Sequence, residues 1–62
     1  MDRYLATVMN DVDFFEVKSG VERLRIPIIW ALPRYQWICF EADEQTAVVV
    51  GKLPGIASYR RS

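Results

Sequence analysis

The chain has 62 residues, of which 52% are hydrophobic, and its eight basic residues balance its eight acidic ones. This length predicts one domain, residues 1–62, with a thin core, and the balanced charge argues against general attraction to nucleic acid or anionic lipid. With no histidine and a single cysteine, the chain can form no internal disulfide and lacks the ligands for a structural zinc site.

The N-terminal segment predicts a strand over residues 3–9, because apolar side chains alternate along it. Three of them share one face: Tyr4, Ala6 and Val8. Asn10-Asp11 then favours a turn, since both side chains hydrogen-bond their own backbone. Residues 13–18 predict a second strand, and Ser19-Gly20 is typical of a two-residue turn after it.

A third apolar segment begins at Val21 and runs to Leu32. Pro27 interrupts it, and since proline cannot donate to a ladder we expect an edge or a bulge there. The segment predicts a strand that ends at Pro33. A short helical turn over Ile28–Leu32 is the alternative, because proline suits the first position of a helix.

The remaining residues predict two more strands, over 35–42 and 46–53, with a polar loop at Asp43-Glu44-Gln45 between them. Pro54-Gly55 is a strong turn signal, and the tail after it predicts a short strand or a frayed end. The expected fold is therefore all-β: a small five-stranded antiparallel meander or barrel-like sheet.

The residue types argue against an enzyme. Histidine, the commonest general base near neutral pH, is absent. Cys39 lies in an aromatic run where a thiol behaves as a small hydrophobe. The acidic groups at 11–13 and 41–44 have neither the spacing nor the glycine of a calcium loop. We therefore predict no catalytic residue, no cofactor and no metal.

Two segments carry apolar residues on both faces of their predicted strands, Ile26–Leu32 and Val48-Val49-Val50. A one-layer antiparallel sheet normally keeps one polar face, so we expect a protein partner or self-association to cover these positions. The predicted interface residues are Ile29, Trp30, Ala31 and Val49, with Arg23 and Arg25 at the rim. The expected function is a non-catalytic protein-binding module: a small regulator, inhibitor or adaptor of the kind that phages and mobile elements carry.

Nucleic-acid binding is the alternative function, although the neutral net charge disfavours it. Arginines lie near aromatic side chains in the sequence, a combination that single-strand-binding domains use for phosphate contact and base stacking. The candidate residues are Arg34, Tyr35, Trp37, Arg60 and Arg61.

Residues 23–27, Arg-Leu-Arg-Ile-Pro, together with Val17-Lys18-Ser19-Gly20, are similar to the R-x-x-I-P pattern of AbrB-type domains. The resemblance implies a swapped-hairpin dimer that binds DNA, often as a transition regulator or antitoxin, with Arg23 and Arg25 as the first DNA contacts. It covers about ten residues. The family continues with a charged amphipathic helix and a Gly-Asp turn, whereas Ile28–Pro33 is shorter and uncharged here.

The N-terminus has no basic start and no long apolar run, which predicts no signal peptide. The longest non-polar run, Ile26–Pro33, is far shorter than the ~20 residues that span a bilayer. Together with the single cysteine, these features predict a cytoplasmic protein without membrane contact.

Overall fold

The computed structural model describes all 62 residues and contains four strands and two α-helices. The elements in chain order are β1 (Asp2–Val8), α1 (Phe14–Arg23), β2 (Ile28–Leu32), β3 (Trp37–Ala42), α2 (Glu44–Gly51) and β4 (Ile56–Arg61), with a short 3₁₀ turn at Pro33–Tyr35 before β3. The strands form one antiparallel sheet in the order β2-β3-β1-β4. This is the βαββαβ connectivity of the ferredoxin-like split βαβ arrangement.

The all-β, five-stranded prediction is therefore wrong, first at residues 13–18. These residues begin α1, because the Asp13 carboxylate accepts hydrogen bonds from the backbone N–H groups of Phe15 (2.9 Å) and Glu16 (3.4 Å). Phe14, Val17 and Val21 are buried, and their spacing of three and four is helical. Ser19-Gly20 lies inside this helix and makes no turn.

The predicted fifth strand over 46–53 is also wrong, since α2 covers most of it. The carboxylate of Asp43 accepts a hydrogen bond from the Thr46 N–H at 2.7 Å and caps the helix, in the segment predicted as a loop. Ala47 and Val50 turn inward and are fully buried, whereas Val49 is exposed. Consecutive residues of a helix point in different directions, so the three valines do not form a strand with two apolar faces.

The third predicted strand is shorter than expected. The first residues of this segment form the C-terminal end of α1. Leu24 caps the helix, and Arg25 directly after it has a left-handed backbone conformation (φ 60°). The second half of the segment, Ile28–Leu32, is strand β2, so the helical alternative for these residues is wrong. The hairpin that the AbrB resemblance implies is absent, since Val17–Gly20 belongs to a helix.

Three other predictions are confirmed. Strand β1 has the expected alternation, the Pro54-Gly55 turn is present with Gly55 at φ 93°, and of the two alternatives for the C-terminal tail, a short strand or a frayed end, the strand is correct: it forms β4 at the second edge of the sheet. The fourth predicted strand is present as β3, which starts at Trp37.

The core lies between the two helices and one face of the sheet, here called the closed face. The sheet contributes six buried side chains from its two central strands: Tyr4, Ala6, Val8, Ile38, Phe40 and Ala42. The rings of Tyr4 and Phe40 stack at 5.6 Å. The helix residues that complete the core are Phe14, Val17, Val21, Ala47 and Val50. No helix of this fold is long and apolar enough to cross a bilayer.

Candidate functional site

The second face of the sheet, here called the open face, has no helix over it. Strand pairing divides it into two halves. The apolar half lies on β2 and β3 and consists of Trp30, Leu32, Trp37 and Cys39, together with Tyr35 from the turn between the strands. The polar half lies mainly on β1 and β4 and consists of Arg3, Thr7, Ser58 and Arg60, with Glu41 from β3. Leu5 lies between the two halves.

A bulge in β2 directs two apolar side chains onto the open face. Ile28 pairs with Phe40 and Trp30 pairs with Cys39, so Ile29 is an extra residue without a partner. In an unbulged ladder Ile29 would oppose Cys39, and the alternation would turn Trp30 towards the helices. The bulge therefore places Trp30 and Leu32 outward, where they are 41% and 40% exposed.

The turn before β3 fixes a second pair of aromatic residues. Gln36 has a left-handed backbone (φ 61°), its side-chain Nε2 donates to the Met9 carbonyl at 2.9 Å, and its own carbonyl accepts from the Val8 N–H at 2.7 Å. These bonds hold the turn against the end of β1. Tyr35 and Trp37 flank Gln36, and their rings stack with centroids 5.1 Å apart.

Cys39 lies near the middle of the open face, between Leu5 on β1 and Trp30 on β2. It is only 3% exposed although no helix covers it. Its thiol is free. Because no helix covers it, the neighbouring side chains of the open face must shield it from solvent.

The polar half carries the charges of the open face. Arg3 pairs in register with Glu41, and Arg60 pairs with Leu5. Thr7 pairs with Ser58 on β4 and with Trp37 on β3, so it borders the apolar half. The arginines thus lie beside the apolar half and not within it.

The residues of the predicted protein interface are spread over the molecule. Trp30 lies on the open face and Ile29 beside it at the edge bulge, 38% exposed. Ala31 pairs with Ile38 and packs against the core on the closed face. The other three are elsewhere: Val49 on the outside of α2, Arg23 in the last turn of α1, and Arg25 just after it.

Most residues of the predicted nucleic-acid set lie closer together. Tyr35, Trp37 and Arg60 belong to the open face, and Arg34 precedes Tyr35 in the exposed turn. Arg61 lies on the other side of β4, where its guanidinium donates to the Asp2 carboxylate at 2.8 Å. This hydrogen bond raises the pKa of Arg61.

Sequence reasoning missed Leu32, Leu5 and Cys39 as members of one surface with Trp30 and Trp37. The alternation in β1, with Leu5 on the face opposite Tyr4, was a usable signal for one of them. The order of the strands, which brings β1 and β2 to either side of β3, had no signal in the sequence.

A groove lies between α1 and the segment that connects α2 to β4. This open groove of about 420 Å³ is lined by Asp13, Glu16, Arg23 and Leu53, among others. The Asp13 carboxylate is engaged as the α1 cap. No cluster of three or more His, Cys, Asp or Glu side chains that could hold a metal ion occurs in the fold.

The electrostatics of the helices are local. Hydrogen bonds from the side chain and backbone of Thr46 lower the pKa of Asp43, the α2 cap. Neither this carboxylate nor the Arg61–Asp2 ion pair belongs to the open face. The open face is thus the surface on which both tryptophans and the Tyr35–Trp37 stack lie together, half-exposed and without a helix over them. No protein-family model, no curated protein and no solved structure matches this chain.

Proposed function

We propose that this chain is a non-catalytic protein-binding module, a small regulator, inhibitor or adaptor, and that it docks through the open face of its sheet. One observation carries the proposal: Trp30, Trp37, Tyr35 and Leu32 lie together on a sheet face that nothing in the chain covers, each between 37% and 55% exposed. Tryptophan and tyrosine are the residues that most often dominate the energetics of protein interfaces.

The size of the apolar half supports a protein partner. From their exposed fractions, its four exposed side chains offer roughly 350 Å² of surface. The largest apolar patch on a monomer is typically about 300–600 Å² and is often functional, so a patch of this size fits a binding surface. At about 25 cal/mol per Å², covering it contributes about 9 kcal/mol before the cost of association is subtracted.

The arrangement of charge supports the same function. Interfaces typically have an apolar centre with few charges and a polar rim. The open face matches this pattern along one side, because Arg3, Glu41 and Arg60 flank the apolar half. A buried, unpaired Cys39 is compatible with our proposal that the module acts in the reducing cytosol.

Affinity capture with matched variants tests the proposal. The immobilised wild-type chain, Trp30→Lys and Val49→Lys are compared in lysate of the source cells at a bait concentration of about 1 µM. Both substitutions add one lysine at an exposed apolar site, the first on the open face and the second on the outside of α2. We expect Trp30→Lys to lose the captured protein and Val49→Lys to retain it. Identical capture by all three baits would refute docking through the open face.

A second function, the binding of single-stranded nucleic acid, is favoured by the Tyr35–Trp37 stack, which lies on the same face as Arg60. Stacked aromatic rings beside arginines are the surface that such proteins use. If this function holds, a fluorescent oligothymidylate binds at low salt and Arg60→Ala weakens it, with a steep loss of affinity as salt rises. No anisotropy change at low salt would remove it.

A further inference from the structure

The groove between α1 and residues 53–55 has opposite charges at its two ends. Asp13, Glu16, Gly20 and Arg23 line it from α1 and its N-cap, at spacings of three and four that place them in one stripe along the helix. We propose that the groove binds a short apolar peptide with free ends, its ammonium group at the acidic end and its carboxylate at Arg23. None of the lining residues belongs to the open face, so this site is separate from the proposed function.

The charges at both ends of the groove have no partner within the chain. The two ion pairs of the molecule are Lys18–Glu22 and Arg61–Asp2, so neither Glu16 nor Arg23 is paired, and both are exposed. Both cap bonds of Asp13 go to one of its carboxylate oxygens, Oδ1, and its negative charge adds to that of Glu16. A ligand that satisfies both ends must itself carry two opposite charges.

Between the charged ends the groove is apolar and open in the middle. Val12, Val17 and Leu53 line it, and a Cβ built on Gly20 meets no atom within 4 Å, so free space lies directly over the helix backbone there. Gly55 closes the floor, because a Cβ on it would come within 2.6 Å of Val17 Cγ2. The volume of about 420 Å³ lies in the range of small-ligand sites.

The separation of the charges sets the length of the peptide. Glu16 and Arg23 are seven residues apart, or about 10.5 Å along a helix. An extended chain covers about 3.3–3.6 Å per residue, so a tripeptide matches this span and a single amino acid is too short. Gly20 lies about 6 Å along the axis from Glu16, near the midpoint, where the space over it receives the middle side chain.

Titration of the ¹⁵N-labelled wild-type chain with alanyl-leucyl-alanine tests the site. At about pH 6.5 the amino group of the peptide is charged. We expect amide shifts centred on Val17, Gly20 and Gly55 that saturate with a dissociation constant on the order of 0.1–1 mM. The same peptide with an acetylated N-terminus and an amidated C-terminus is the matched ligand control, and we expect it to bind at least about tenfold more weakly.

Three variants locate the binding in the groove. Gly20→Leu fills the open middle with a good helix former and should abolish the peptide-induced shifts. Arg23→Gln should weaken binding about fivefold. Arg25→Gln is its matched control, since Arg25 is also exposed but does not line the groove, and it should leave the affinity unchanged. Circular dichroism checks each fold, and if Gly20→Leu does not fold, the two arginine variants and the capped peptide decide.

No saturable shift up to about 10 mM peptide, or equal affinity for the free and the capped peptide, would overturn the proposal. The proposed function is tested separately, because Trp30→Lys changes the open face and leaves the groove intact. If alanyl-leucyl-alanine does not bind but Gly20→Leu abolishes capture of a protein from lysate, the groove contacts that protein and the peptide site is refuted.

Discussion

Alternate residues of the same strands have very different surroundings on the two faces of the sheet. On the closed face, Tyr4, Ala6, Val8, Ile38, Phe40 and Ala42 are all at most 5% exposed. On the open face, Trp30, Leu32 and Trp37 are 37–41% exposed although they are large and apolar, and only Cys39 between them is buried. This difference in exposure arises because both helices pack on the closed face and none covers the open face.

The comparison separates residues that stabilise the fold from residues available to a partner. A one-layer antiparallel sheet usually has a polar face towards water. Here the polar residues of the open face lie mainly on β1 and β4, with Glu41 on β3, while Trp30, Leu32, Trp37 and Cys39 make the rest of its β2–β3 side apolar. Substitutions on the closed face should therefore change stability, and those on the apolar half should mainly change association.

The largest expected effect is on the closed face. Ile38 is fully buried on a central strand, so Ile38→Ala removes packed atoms and leaves a cavity, and we expect a loss of 2–5 kcal/mol, roughly. Much of the stability of a domain of this size would be lost. Urea unfolding followed by far-UV circular dichroism measures the change.

Leu32→Ala is the matched control on the open face, because Leu32 is 40% exposed on the edge strand. We expect it to lower the free energy of unfolding by on the order of 1 kcal/mol. Equal losses for Ile38→Ala and Leu32→Ala would mean that the two faces contribute alike to the fold, contrary to the comparison.

The sequence predicted three of the four strands well and replaced both helices with strands. The helices were missed because Phe14-Phe15 and Val48-Val49-Val50 are aromatic and β-branched, the types that favour strands. Capping and burial of one side override this weak preference. Asp13 before the spacing Phe14-Val17-Val21 was the signal that distinguishes a helix.

The open face was only partly predictable. Its aromatic residues and arginines were identifiable as exposed candidates, and the structure places Tyr35, Trp37 and Arg60 on one face. Pro27 predicted an edge or a bulge, and β2 is an edge strand with a bulge at Ile29; the position of that bulge could not be read from the sequence, because a bulge is defined by the partner strand. It decides that Trp30 lies outward and Ala31 lies inward.

The next prediction concerns the N-terminal cap of α1, one of the two helices that pack on the closed face. Asp13→Ala removes the acceptor for the N–H groups of Phe15 and Glu16, and we expect a loss of about 1 kcal/mol. Asp13→Asn is the control, since asparagine caps helices about equally well. A loss of the same size in both variants would argue against capping as the cause. Thermal unfolding of the three chains measures it.

A gain in stability is expected in the middle of α1. Gly20 lies within the helix, and a Cβ built on it meets no atom within 4 Å. Gly20→Ala should therefore stabilise the fold by about 0.5–1 kcal/mol, through a less flexible unfolded chain and a better helix former. If residues 19–20 formed a hairpin turn with positive φ, the same substitution would destabilise the protein. The sign of the change in urea midpoint thus distinguishes helix from turn.

The smallest expected effect is a pH dependence at the cap of α2, the second helix over the closed face. Hydrogen bonds from Thr46 lower the pKa of Asp43 below its ordinary value of 3.8. A carboxyl group whose pKa is lower in the folded state stabilises the fold above its unfolded pKa, and this contribution is lost as the pH falls through the folded pKa.

Asp43→Asn keeps a capping oxygen but cannot titrate. The stability difference between wild type and Asp43→Asn should therefore be present at about pH 6 and shrink by about pH 2. Urea midpoints of both chains at the two pH values measure it, and a difference that stays constant with pH would show that the Asp43 carboxylate does not favour the folded state.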